Sequence, residues 1–97
     1  MAKGYWVAHN QVHDLEAYEA YKSAAAPALQ EFGARFVIRG GDQQNPEGVL
    51  KSRTIVIEFP SYQAALDCYH SATYQNAVSI RKPLADGDLV IVEGFDG

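Results

Sequence analysis

A carboxylate sits in the middle of a strand-forming run, where it is hard to explain as surface decoration. Glu58 lies within Arg53-Thr54-Ile55-Val56-Ile57-Glu58-Phe59, a β-branched and aromatic stretch, and a charge there needs a partner. Two other strand-like runs each offer one: His9 in Gly4-Tyr5-Trp6-Val7-Ala8-His9, and Arg39 closing Phe36-Val37-Ile38-Arg39. With the three strands in one sheet and their side chains in phase, carboxylate, guanidinium and imidazole would converge as a small polar site in an apolar wall. Beside Arg39, Glu58 would stay ionised; buried without that partner its pKa would rise and suit it to proton transfer. His9 is the second candidate for moving a proton, and Arg39 the candidate for holding an anionic group. Three residues from the second half of the chain join this ligand-binding set: Tyr69, Tyr74 and Arg81. Structural roles stay open for all six, as an ion pair ordering the sheet or a dimer seam, a hydrogen-bonded half-buried histidine, and tyrosines packing helix on sheet.

Other chemistries find less support. His9 and His13 are four apart but straddle a strand end, His70 is remote, and cysteine clusters are absent, so no metal site is expected and no cofactor is implied. Ser71 reads as a helix N-cap rather than a nucleophile, because no Ser-His-Asp spacing accompanies it. Gly40-Gly41 serves a turn and is not a phosphate loop, since no helix begins after it. Cys68, the single cysteine, reads as a small buried hydrophobe, excludes an intrachain disulfide and fits a reducing cytoplasm.

At 97 residues the chain is expected to form one domain with an adequate but thin core. The net charge of −4, without any Lys/Arg cluster, argues against nucleic acid and anionic membrane surfaces, which need a basic footprint. No segment has the length and apolarity of a membrane span, and the N-terminus runs straight into a strand.

Periodicity sets out the elements that would carry these side chains. Residues 4–12 read as a strand. Asp14 caps a helix whose stripe is Leu15, Tyr18, Lys22, Ala25, Leu29 and Phe32, with a kink expected near Ala26 because Pro27 lacks an N–H, and with Gly33 ending it. Arg35 to Arg39 form a second strand, Gly40 to Gly48 a long hairpin loop, and Arg53 to Phe59 a third strand. Ser61 caps a helix lined by Tyr62, Ala65, Leu66 and Tyr69; a short helix starts at Ser71, bearing Tyr74, Ala77, Val78 and Arg81. Asp86-Gly87-Asp88 reads as a turn before a last strand, Leu89 to Glu93.

This order is βαββαβ, the α+β ferredoxin-like arrangement: a four-stranded antiparallel sheet with its helices on one face. Strand phase predicts Ile55, Ile57, Phe59, Phe36 and Ile38 under the helices, and Tyr5, Val7, His9, Val37, Arg39, Val56 and Glu58 on the open face. That open face is still largely apolar. A two-fold homodimer packing sheet against sheet would cover it and enclose a cavity.

An ordered set of residues carries a family resemblance over essentially the whole chain: Gly4-Tyr5-Trp6-Val7-Ala8, Asp14, Tyr18 to Tyr21, Arg39-Gly40-Gly41, Val56-Ile57-Glu58-Phe59-Pro60-Ser61, Ala64-Ala65, Tyr69-His70-Ser71-Ala72-Thr73-Tyr74, Arg81 and Leu89-Val90-Ile91-Val92-Glu93-Gly94. It resembles the bacterial "domain of unknown function 1330" family. The resemblance implies a dimeric α/β barrel, in a superfamily that includes cofactor-free monooxygenases, haem-degrading enzymes, isomerases and ligand-sensing modules. It implies no particular reaction. The expectation is therefore a homodimer binding a small organic molecule in a pocket between sheet and helices, bounded by His9, Arg39, Glu58, Tyr69, Tyr74 and Arg81. The alternatives are a cofactor-independent monooxygenase or isomerase using His9 or Glu58, and a structural dimer without ligand.

Overall fold

The computed structural model describes residues 2–96. Strand β1 (Gly4–Val12) leads into helix α1 (Leu15–Glu31), β2 (Arg35–Arg39), β3 (Arg53–Phe59), helices α2 (Tyr62–His70) and α3 (Ala72–Arg81), and β4 (Ala85–Glu93). The four strands form one antiparallel sheet in the order β2-β3-β1-β4, the α+β ferredoxin-like topology. None of its helices is long and apolar enough to cross a membrane, among the described residues.

Caps define the helices where the sequence places them. The Asp14 carboxylate accepts from the Ala17 N–H at 3.0 Å, Ser61 Oγ from Ala64 N–H at 3.0 Å, and Ser71 Oγ from Tyr74 N–H at 3.2 Å, each satisfying a donor that the first helical turn leaves free. Ser71 also donates to the Cys68 carbonyl at 2.7 Å, so one side chain ends α2 and starts α3. Gly33, at φ 73°, takes the left-handed conformation that stops α1. The break expected at Pro27 does not occur. Pro27 sits inside a continuous α1, and the carbonyl it leaves without a partner belongs to Ser23, an exposed position where water can serve it.

Two other departures matter more. Asp86-Gly87-Asp88 is strand, not turn: β4 starts at Ala85 and pairs Gly87 with Asn10 and Asp86 with Gln11. The long β1 supplies a partner edge that overrides the local turn preference. Glycine suits the position because a Cβ there would lie 3.0 Å from the Asn10 Cβ and 3.1 Å from the His9 carbonyl. In β2, the register jumps from Phe36↔Ile57 to Ile38↔Val56, so Val37 is an extra residue in a β-bulge. The bulge reverses the expected phase of the rest of the strand. Ile38 turns to the open face opposite Val56, and Arg39, opposite Ile55, turns under the helices.

The core lies between sheet and helices. Trp6 from β1 packs on Phe59 at a centroid distance of 4.9 Å and on Tyr74 at 4.7 Å, and its indole N–H donates to the Ala65 carbonyl at 2.9 Å. Buried alanines 25, 28 and 77 belong to the same cluster on α1 and α3, with Ala65 and Cys68 joining from α2. On the other side of the sheet no element packs among the described residues, and Val37, Ile38, Val90 and Val92 remain 49%, 44%, 54% and 42% exposed.

Candidate functional site

Small side chains on facing elements leave a gap in this core. Ala8 on the sheet, Ala25 and Ala26 on α1, and Ala34 beyond it border a cavity of about 350 Å³ between sheet and helices. Its sheet wall comes from Trp6, Ala8 and Asn10 of β1, Arg53, Ile55 and Ile57 of β3, Phe36 and Arg39 of β2, and Leu89 of β4. The helix wall comes from Tyr18, Tyr21, Lys22 and Leu29 of α1 and from Tyr74 and Arg81 of α3. The size falls at the lower end of the ~300–1,000 Å³ typical of small-molecule sites.

Every charged residue lining the cavity is basic: Lys22, Arg39, Arg53 and Arg81. Among the described residues only Lys22 of these has a carboxylate partner, Glu19 at 3.3 Å. The others rest on aromatic faces instead. The Arg39 guanidinium lies 4.2 Å from the Phe36 ring centre, Arg53 5.9 Å from Tyr18, and Arg81 5.6 Å from Tyr21, while Lys22 approaches Tyr18 at 5.9 Å. Tyr18 and Tyr21 themselves stack at 5.0 Å, so Lys22, Arg53 and Arg81 gather about one tyrosine pair.

Two polar features complete the wall. The hydroxyls of Tyr21 and Tyr74 are 2.7 Å apart. Burial pushes both phenols above their ordinary pKa, for Tyr21 against the opposing effects of the Tyr74 hydrogen bond and the Arg81 charge, so both stay protonated. One O–H is spent within the pair, and the other has no acceptor among the described residues. Asn10 is the second feature: the residue is 7% exposed, and its Oδ1 has no hydrogen-bond partner among the described residues.

The six residues singled out from sequence divide between the two faces of the sheet. Arg39, Tyr74 and Arg81 line the cavity. Tyr69 lies outside that lining, edge-on to Trp6 at 6.0 Å and 5.7 Å from Tyr74. His9 and Glu58 point to the open face, and the expected Glu58–Arg39 pair does not form, because the Val37 bulge sends Arg39 through to the other side. Arg35, directly opposite Glu58, takes its place with Nη2 at 3.3 Å and Nε at 3.4 Å. The Tyr5 hydroxyl donates to the same carboxylate at 3.1 Å and Lys3 approaches at 3.7 Å. Burial raises the Glu58 pKa, and the Tyr5 and Arg35 hydrogen bonds with the charges of Arg35 and Lys3 more than reverse that, leaving it below the ordinary value. Thr54 Oγ1 donates its single proton to Gln43 Oε1 at 2.6 Å and therefore accepts from His9 Nδ1 at 3.1 Å. Among the described residues no three metal-ligating side chains come together.

Asn10, Arg53, Lys22, Tyr18 and Tyr21 are cavity residues outside the sequence-derived set. Parity points to two of them: Asn10 shares the phase of Trp6 and Ala8, and Arg53 that of Ile55 and Ile57.

The profile of the family described as "Domain of unknown function (DUF1330)" matches residues 3–95. The chain belongs to the DUF1330 family. Among solved structures, the RPA0582 protein of unknown function from Rhodopseudomonas palustris is 19% identical, with 99% of this chain and 85% of that one covered and a TM-score of 0.76. SnoaB, a cofactor-independent oxygenase from Streptomyces nogalater, is 10% identical with 100% and 97% covered and a TM-score of 0.64. A dimeric ferredoxin-like protein of unknown function from Thermobifida fusca is 15% identical, with 95% and 89% covered and a TM-score of 0.58. No curated protein matches the chain in sequence. At these identities the structural likeness establishes the ferredoxin-like fold that this DUF1330 member shares, and nothing about its chemistry.

Proposed function

We propose that this DUF1330 protein binds a small organic molecule in the cavity between its sheet and helices α1 and α3. One observation carries the proposal: Asn10 stands in the cavity wall, and its Oδ1 is buried without a donor among the described residues. An acceptor left in that state costs about 1–3 kcal/mol, which a ligand O–H or N–H would recover. Trp6 is the only tryptophan in the chain and stands in the same wall, so its emission reports occupancy. Native mass spectrometry of the gently purified protein is expected to find a bound small molecule, and unfolding, dialysis and refolding to shift the Trp6 emission. A protein that carries nothing and whose emission is unchanged by that cycle speaks against the proposal.

The same proposal includes a homodimer of one-domain subunits joined through the open faces of their sheets. Support comes from the apolar side chains of Ile38, Val90 and Val92 exposed there and from the Thermobifida fusca neighbour described as dimeric. Sedimentation that shows only single copies at micromolar concentration would refute it. Cys68, unpaired and fully buried, with burial and the Glu31 charge pushing its thiol up to about 12, is compatible with a reducing cytoplasm as the working environment. An oxygenase activity like that named for SnoaB would require a proton-handling group in the cavity. His9 and Glu58 lie across the sheet from it, so that role would fall to the Tyr21–Tyr74 hydroxyl pair.

A further inference from the structure

We propose that the molecule bound in this cavity is an aromatic organic anion, its charged group held by Arg53 and Arg81 and its rings laid against the tyrosine-lined wall. This rests on the cavity being a binding site and adds the ligand's charge and shape. Its first ground is the sign of the lining. The chain as a whole has 12 acidic and 8 basic residues, yet the charged side chains around the cavity are basic without exception. Local placement therefore runs against the net charge, and it creates a positive potential at the recess, which draws anions toward it.

The second ground is that these cations are left unneutralised. Arg53 and Arg81 are half-buried, and neither has a carboxylate partner among the described residues; Arg53 lies by the Tyr18 ring and Arg81 by the ring and hydroxyl of Tyr21. Guanidinium groups on the protein's other face are treated differently, as Arg35 shows by closing on Glu58. Glu19 is engaged by Lys22 at 3.3 Å, and Asp86 and Asp88, which border a smaller recess that shares Asn10 and Arg81 with the cavity, are engaged by His13 at 2.9 Å and Lys51 at 2.6 Å respectively. Arginine's planar fork suits carboxylate, sulfonate or phosphate oxygens, and it stays charged at any working pH.

The third ground is the unmet acceptor. Asn10 stands opposite Arg53 in the β1–β3 ladder, so the acid-binding group and the buried amide are neighbours on one wall. A ligand carrying both an anionic group and an O–H or N–H donor would satisfy the two together. The remaining wall offers the half-buried Tyr21 and the more exposed Phe36 as aromatic surface for rings.

A matched pair of fluorescent probes tests charge at constant shape. 8-Anilinonaphthalene-1-sulfonate and N-phenyl-1-naphthylamine share both ring systems and the anilino N–H, and differ by the sulfonate. Titrating each into the intact protein, with energy transfer from Trp6 reporting proximity to the cavity, is expected to give the sulfonate at least about tenfold tighter binding. That ratio should fall toward one in Arg53→Gln and in Arg81→Gln, with circular dichroism and binding of the neutral amine showing that each variant is folded. Equal or tighter binding of the neutral amine, or a ratio that survives both substitutions, would overturn the anion proposal while leaving the cavity in use. Failure of both probes to bind near Trp6 would count against the cavity reading itself.

Discussion

The two faces of the sheet differ in how their polar groups are treated. On the open face Glu58 is met by Tyr5, Arg35 and Lys3, His9 by Thr54, and Asp88 by Lys51, so each charge or dipole has a protein partner. Under the helices, among the described residues, Asn10 Oδ1 has none, and Arg39, Arg53 and Arg81 lie by rings without a carboxylate. Completed pairing marks polarity that serves the fold. Polarity left open beside a cavity marks a place where something else completes it.

The two faces should tolerate change unequally. The largest loss is expected from Trp6→Ala, which empties the junction of β1, α2 and α3 and strands the Ala65 carbonyl; about 3–5 kcal/mol of stability should go, as read from urea unfolding. Val92→Ala on the open face, already 42% exposed, should cost well under half as much in the isolated subunit. Comparable losses at the two sites would mean that the open face is packed as tightly as the core.

Asn10 gives the next effect, with the opposite sign. Replacing it by Leu removes an unpaired buried acceptor and keeps a similar volume, so the ligand-free protein should gain about 1 kcal/mol while affinity for an N–H-bearing probe falls severalfold. Thermal unfolding of wild type and variant, with and without probe, separates the two effects. A destabilised Asn10→Leu would show that the amide supports the fold and is not reserved for a ligand.

Much of this division is legible in residue order. The alternation Ile55, Ile57, Phe59 against Thr54, Val56, Glu58 places β3 correctly, and Ser61 and Ser71 announce their helices. Arg39 is misplaced by alternation because a bulge is set by pairing geometry: no residue type in Arg35-Phe36-Val37-Ile38-Arg39 distinguishes Val37 as the extra one. The same shift explains the wrong partner for Glu58, since regular alternation puts Arg35 and Arg39 on one face and the bulge separates them. Asp86-Gly87-Asp88 misleads for a different reason, a strong local turn preference overruled by the free edge of β1. Asn10 and Arg53 are within reach of sequence, because their parity with Trp6 and Ile55 already points inward; residue order alone does not show that alanines leave room beside them.

The smallest predicted effect separates the two arginines of β2. In the folded protein Glu58 titrates below the ordinary carboxylate value, so it contributes stability that is fully present above that ordinary value and lost as pH falls through the lower folded one. Arg35→Gln removes one of the causes of the depression, and should make the acid limb of the stability–pH curve shallower between neutral pH and the acid transition. Arg39→Gln, on the other face, should leave that limb unchanged and lower only the affinity for an anionic probe. Denaturant midpoints measured in steps from neutral pH down to the acid transition for the two variants make the comparison, with Glu58→Gln as the reference lacking the titration. An Arg39→Gln curve that tracks Arg35→Gln would place both guanidinium groups on the same carboxylate, and the bulge would then not separate the two faces.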